Sequence, residues 1–108
     1  PGVRRMKKHL EGRLQLAIVE ASKGGALKST SLPPLIVEVP KDPTFGDLAT
    51  PIAMGLARAE RRPPRAIAEI LVAHLPDPDG LVDSTEIAGP GYLNFRFSPR
   101  FWKRCLAD

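Results

Sequence analysis

Tyr92, Asn94 and Arg96 alternate with Leu93, Phe95 and Phe97 in the stretch Ala88-Gly89-Pro90-Gly91-Tyr92-Leu93-Asn94-Phe95-Arg96-Phe97. Successive side chains of an extended chain point to opposite faces, so the polar three share one face and the apolar three the other. A solvated strand face more often carries Thr, Lys, Glu or Ser. This one offers a stacking ring, an amide that both donates and accepts, and a fixed cation, the groups that hold an unstacked base and the phosphate beside it. Stacking of that kind contributes roughly 1–3 kcal/mol per base, and a phosphate contact from Arg96 would be salt-sensitive. The same residues also suit a plain structural face, with Tyr92 and Asn94 covering the sheet or packing under a helix.

Other groups compete for attention. Gly89-Pro90-Gly91 brings backbone N–H groups within reach of a phosphate or forms a type II turn with Pro90 and Gly91 at its centre, and turn chemistry favours the second. Phe45-Gly46-Asp47 resembles an anion site at a helix N-terminus, but the Asp47 carboxylate would occupy it as a cap and repel phosphate. Arg58, Arg61, Arg62 and Arg65 form a cluster suited to phosphate contacts or to simple solvation, and Arg4, Arg5, Lys7 and Lys8 form a second basic patch. His9 and His74 stand alone in His-Leu contexts and read as surface groups. Cys105 reads as a core or interdomain thiol: the single cysteine has no His nearby for a nucleophile pair and no spacing for zinc.

The elements that must position these residues follow from periodicity and punctuation. Val3, Met6, Leu10, Leu14, Ala17, Ile18 and Ala21 recur at helical spacing, and Gly24-Gly25 stops that helix. Lys28-Ser29-Thr30-Ser31 and Pro33-Pro34 form a loop into the β-branched run Leu35-Ile36-Val37-Glu38-Val39, which predicts a strand ended by Pro40. Asp47 or Thr50 can cap a second helix, with Pro51 in its first turn and Ile52, Leu56 and Ala59 as its buried stripe. Pro63-Pro64 start a third helix carrying Ile67, Ile70, Leu71 and Leu75. After the turn cluster Pro76 to Gly80, Val82 to Ile87 and Tyr92 to Phe97 predict two strands, and Ser98-Pro99 opens a last helical segment with Phe101, Trp102, Cys105 and Leu106. This order predicts an α+β single domain, a small, mainly antiparallel sheet with helices packed on one face.

The 108 residues, 43% of them hydrophobic, suit one compact domain with a modest core. Sixteen Lys and Arg against twelve Asp and Glu give a net charge of +4, which favours acidic partners without choosing among them. No apolar run approaches the roughly 20 residues of a membrane span, and the basic start lacks a signal-peptide core, so the reading is a cytoplasmic protein with no membrane partner.

Three blocks in order resemble the N-terminal domain of arginyl-tRNA synthetases. They are Val37-Glu38-Val39-Pro40-Lys41-Asp42-Pro43-Thr44-Phe45-Gly46-Asp47-Leu48-Ala49, then Pro64-Arg65-Ala66-Ile67-Ala68-Glu69-Ile70-Leu71, then Ile87-Ala88-Gly89-Pro90-Gly91-Tyr92-Leu93-Asn94-Phe95. Together they span residues 36 to 98. Pro51 departs from the pattern, standing where a polar residue, often Asn, follows the Gly-Asp-x-Ala-Thr run.

The resemblance implies a module of a class I arginine-tRNA ligase that reaches the elbow of arginine tRNA and contacts a nucleotide of the D-loop. Its tRNA-contacting positions fall on Tyr92, whose ring would stack on an extruded base, and Asn94, whose amide would read its edge. Arginine activation, with ATP and magnesium, would belong to a catalytic domain of the same chain carrying His-x-Gly-His and Lys-Met-Ser-Lys signatures, which are absent here. Lys28-Ser29-Thr30-Ser31 echoes the second only faintly. No catalytic residue, cofactor or metal is therefore expected within these residues. The expected division is a domain over 1–98 and, over 99–108, the start of a helix connecting to the catalytic domain of a longer, monomeric parent. The alternative from another class is a protein-interaction or regulatory α+β domain that docks a partner protein on Phe101 and Trp102.

Overall fold

The structure is a computed structural model and describes residues 2–28, 33–77, 80 and 82–106, without the side chains of residues 105 and 106. A long helix α1 (Gly2–Lys23) is followed by an extended segment, a short 3-10 turn (Pro43–Phe45) and a three-residue strand β1 (Leu48–Thr50). Two helices come next, α2 (Ile52–Glu60) and α3 (Pro64–His74), then the hairpin strands β2 (Val82–Ala88) and β3 (Tyr92–Phe97), and finally α4 (Pro99–Leu106). The sheet is antiparallel in the order β1-β3-β2, which makes β3 the central strand. The expected α+β class and single small antiparallel sheet are what the chain forms.

Alternation does the sorting on β3. Leu93 and Phe95 are fully buried and Phe97 nearly so, joining Met6, Leu10 and Leu14 of α1, Ile52 and Leu56 of α2 and Ile67 and Leu71 of α3 in one core. Removing a ring such as Phe95 from that interior leaves a void that neighbours fill only in part, at about 3–5 kcal/mol. The helical stripes shift slightly from expectation. Val3 is exposed, so the buried stripe of α1 begins in effect at Met6, while on α2 the buried alanines are Ala53 and Ala57, with Ala59 exposed.

The first strand is not where the β-branched run predicts it. Within Leu35–Val39, Glu38 alone makes a ladder rung: its N–H donates to the Ala49 carbonyl (2.9 Å) and its carbonyl accepts from Ala49 N–H (2.8 Å). Ile36 and Val39 stay exposed and Val37 is buried. Pro34 and Pro40 bracket the run and lack the donors a ladder needs. The strand forms instead at Leu48-Ala49-Thr50, which pair with Phe95, Asn94 and Leu93 and are all buried.

Thr50 then joins strand to helix. Its hydroxyl donates to the Ile36 carbonyl (2.6 Å) and accepts from the Ile52 N–H (3.2 Å), so it satisfies the first N–H of α2, while the N-cap position itself is Pro51 with no side-chain cap. Asp47, the other candidate cap, works on the sheet instead: its N–H donates to the Phe95 carbonyl (2.7 Å) and its carboxylate accepts from the Phe97 N–H (2.8 Å).

The hairpin turn also differs from expectation. Gly91 N–H donates to the Ala88 carbonyl (3.2 Å), so Gly89 and Pro90 are the central pair, with Gly89 at a φ of 54°. Gly91, at a φ of 138°, lies so close to the start of α3 that a Cβ there would sit 2.8 Å from the Pro64 Cβ. At the other end of β2, Arg13 of α1 pairs with Asp77 (3.1 Å) and donates to the Pro76 carbonyl (3.0 Å), while Asp77 also accepts from the Val82 N–H (3.1 Å). One ion pair thus ties α1 to the α3–β2 loop.

Ser98 begins α4, its carbonyl and hydroxyl accepting from Phe101 N–H at 3.0 and 3.3 Å. The helix packs back on the domain: Phe101 is 1% exposed, lies against Phe97 with ring centroids 4.7 Å apart and planes tilted by 48°, and meets His9 edge-on at 5.3 Å. Phe101 is therefore a core residue and gives no docking surface to a partner, while Trp102 is half-buried against the same core. Residues 29–31 of the Lys28–Ser31 stretch and the Cys105 side chain lie outside what the structure describes.

Candidate nucleic-acid interface

The face of β3 turned away from the core opens onto a cavity of about 400 Å³. Its floor is sheet: Ala49 of β1, Ala88 of β2, and Tyr92 and Asn94 of β3. Its rim is the irregular chain before β1, through Glu38, Pro40, Lys41, Asp42 and Phe45, and the hairpin glycine Gly89. Small alanines at two floor positions leave the depression that larger side chains would fill. Sequence reasoning placed Tyr92 and Asn94 on one face, and the structure brings both into one cavity.

The two differ in exposure. Tyr92 is half-buried and Asn94 is 7% exposed, held between Ala49 and Glu86 in the ladder. Among the described residues no protein group bonds the Asn94 amide or the Glu38 carboxylate, so both retain hydrogen-bonding capacity toward the cavity. Lys41 adds a cation at the rim. A ring and a two-way amide in the floor, with two carboxylates and an ammonium at the rim, can stack a flat heterocycle and bond its edge.

Arg96 shares the strand face but is engaged elsewhere. Its guanidinium donates from Nη2 to the carbonyls of Thr44 (2.8 Å) and Pro43 (3.4 Å), in the 3-10 turn that carries Phe45. Asp42 caps the same turn, its carboxylate accepting from the Thr44 N–H (2.9 Å) and hydroxyl (2.8 Å). Those bonds, the backbone one first, hold the Asp42 carboxyl below the usual carboxylate range.

The arginine cluster does not form one patch. Arg58 lines a separate depression with Pro33, Pro34 and Ile36. Arg61 closes α2 in a left-handed conformation (φ 55°), and Arg62 donates to the Ala26 carbonyl (2.7 Å); both line a third depression with Lys28. Arg65 is different. It donates to the carbonyls of Gly89 (2.8 Å) and Ile87 (3.5 Å), fixing the hairpin whose Gly89 rims the Tyr92 cavity. On α1, burial lowers the His9 pKa, with Arg13 and Arg104 adding repulsion. Among the described residues no three His, Cys, Asp or Glu side chains gather as metal ligands, and no helix is long and apolar enough to cross a membrane.

Sequence reasoning did not find the rim. Phe45 was visible only within the Phe45-Gly46-Asp47 helix-entry reading and the family-like block Val37 to Ala49, and a lone aromatic between Thr and Gly carries no periodic signal.

This is a small α+β domain whose sheet has one face closed by helices and the other open as a cavity. A family model described as the arginyl-tRNA synthetase N-terminal domain matches residues 5–97, and the chain belongs to that family. It is 39% identical over 103 residues to the arginine–tRNA ligase of Geotalea daltonii, a match covering 95% of this chain and 18% of that protein. It is 45% identical over 92 residues to the Desulforudis audaxviator enzyme of the same name, covering 83% of the chain and 16% of that protein. The chain thus spans less than a fifth of the curated relatives it matches. The solved arginyl-tRNA synthetase of Thermus thermophilus aligns with a TM-score of 0.59 at 37% identity, over 84% of this chain and 14% of that one. That of Plasmodium falciparum aligns with a TM-score of 0.76 over 94% of this chain and 17% of that one; at 14% identity it speaks for the fold alone.

Proposed function

We propose that this domain is the tRNA-positioning module of a cytoplasmic arginine-tRNA ligase, and that it receives an unstacked D-loop nucleotide of arginine tRNA in the Tyr92–Asn94 cavity. The observation that carries the reading is the pairing of a stacking ring and an unbonded amide in one open cavity, on the strand face the core does not use. Tyr92 stacks on the base and Asn94 bonds its edge. ATP and magnesium serve the parent's catalytic part, where arginine is activated and transferred; the role of the present residues is affinity and orientation. Lys41, which lines the cavity, and Arg65, bonded to the rim glycine Gly89, supply phosphate attraction at the cavity, while Arg58, Arg61 and Arg62 add attraction at longer range.

Aminoacylation by the full-length enzyme tests this, with arginine tRNA of natural sequence and with one D-loop base changed. Wild type is expected to lose efficiency on the changed tRNA, and Tyr92→Ala and Asn94→Ala to charge both tRNAs alike, about tenfold or more below wild type on the natural one. If both folded variants keep wild-type efficiency and discrimination, the open face is structural and the proposal fails.

A further inference from the structure

Phe45 is 53% exposed, and no residue of its 3-10 turn is buried. An exposed aromatic ring is unremarkable by itself. The turn that presents this one is fixed with unusual thoroughness. Asp42 bonds both the N–H and the hydroxyl of Thr44, Gly46 N–H donates to the Pro43 carbonyl (3.1 Å), and Arg96 donates to both carbonyls from the central strand. Gly46 adopts a φ of 112°, and a Cβ there would sit 2.7 Å from the Phe95 carbonyl oxygen, so the turn is pressed against the sheet edge where β1 begins. Ordering a backbone segment opposes folding by about 1–2 kcal/mol per residue, yet this ordering completes no part of the core. Its result is a fixed backbone position from which Phe45 reaches the rim of the cavity that Tyr92 and Asn94 floor.

We infer that Phe45 is a second aromatic wall of the base-binding cavity, and that Arg96 is a positioning residue that fixes this wall and does not itself hold a phosphate. The inference rests on reading that cavity as the tRNA contact. A base that enters meets Tyr92 from the strand and Phe45 from the turn, and two rigid rings lose little rotamer freedom on binding. Arg96 acts from a distance: its charge is placed on two carbonyls, and the Phe45 Cα, two bonds beyond the Thr44 carbonyl carbon, inherits the fixed geometry. Glu38, Lys41 and Asp42 lie on the same rim, and of its two carboxylates the Asp42 one is already bonded to Thr44.

The test uses the full-length enzyme and arginine tRNA, reading KM for tRNA and kcat together. Because Phe45 is exposed, its replacements leave the core intact, which an unchanged thermal midpoint verifies. Phe45→Leu is expected to raise KM about tenfold with kcat nearly unchanged, and Phe45→Trp to keep the wild-type value. A wild-type KM for Phe45→Leu overturns the inference. Tyr92→Ala in the same assay separates that failure from failure of the underlying reading: if it is impaired, the cavity still binds tRNA without a Phe45 wall; if it too is silent, both ideas fall.

Arg96 is tested by a double-mutant cycle and by salt. Arg96→Gln is expected to raise KM, to add little on top of Phe45→Leu, and to leave the slope of log Kd against log salt unchanged. Additive effects together with a slope smaller by about 1 would make Arg96 a phosphate contact and overturn its positioning role.

Discussion

The two faces of β3 share one backbone and have opposite tasks. On the closed face, Leu93, Phe95 and Phe97 are buried in one core cluster that also takes side chains from all four helices. On the open face, Tyr92 and Asn94 look onto a cavity, and Arg96 reaches across to a turn that forms no core. The closed face is stabilised by apolar area, which is non-directional and tolerates many residue choices of similar volume. The open face depends on individual hydrogen bonds and one fixed ring, so its stability contribution is small while its sensitivity to residue identity is high. Stability and recognition can therefore be altered separately along a six-residue strand.

The largest expected effect is on the closed face. Phe95→Ala should destabilise the domain by about 3–5 kcal/mol in denaturant unfolding, whereas Tyr92→Ala should change stability by less than about 1 kcal/mol while impairing tRNA use. Equal destabilisation by the two would erase the distinction between the faces. Gly46→Ala comes next, at about 1–3 kcal/mol, because it adds left-handed strain and a clash with the Phe95 carbonyl. The same substitution should impair tRNA binding, since the displaced turn carries Phe45.

A smaller effect separates the rim from the core by pH. The Asp42 carboxyl titrates below its ordinary value because its charged form bonds Thr44. The turn is thus fully held above the unfolded carboxylate pKa and released as pH falls through the lower, folded one. The Thr44 amide resonance should follow that transition in acid, and Asp42→Asn should abolish it. A Thr44 signal that does not move would mean the cap does not order the turn.

The smallest effect concerns α1 and α4. His9, packed edge-on to Phe101, has its pKa lowered first by burial and then by Arg13 and Arg104, so the fold favours its neutral form. Its contribution is complete above the unfolded histidine value and declines as pH falls toward the folded one. The stability advantage of wild type over His9→Gln should therefore shrink as pH falls below the ordinary histidine value. A constant difference would show that His9 acts through packing alone.

Legibility in the sequence followed the range of the interactions. Helices α1 and α3 were evident from spacing, and the hairpin from its glycines and alternation, because those signals repeat within a few residues. The first strand was misplaced. Leu35–Val39 has the better strand composition, yet prolines on either side and a single rung at Glu38 leave it outside the ladder. Leu48–Thr50 pairs with β3 because Asp47 anchors the chain to Phe95 and Phe97. Propensity carried no information about which segment would find the central strand.

The candidate site divided in the same way. Tyr92 and Asn94 were found because a period of two assigns faces without knowing what lies opposite. The cluster of four arginines was legible only as composition: Arg62 closes on Ala26 and Arg65 on the hairpin, more than twenty residues away in each case, contacts that chain order does not encode.

The sequence by itself determined that β3 has a core face and a polar face, that four amphipathic helical segments accompany it, and that the chain resembles one family, since all of these depend on residue type and short spacing. Only the tertiary structure decided that the polar face is open rather than covered, that Arg96 is bonded to the Pro43–Phe45 turn, and that Phe45 stands at the rim. The reason is physical: each of those outcomes depends on which distant backbone carbonyls and rings arrive at the same place, and the collapse of the helices on the other face of β3 is what brings them there.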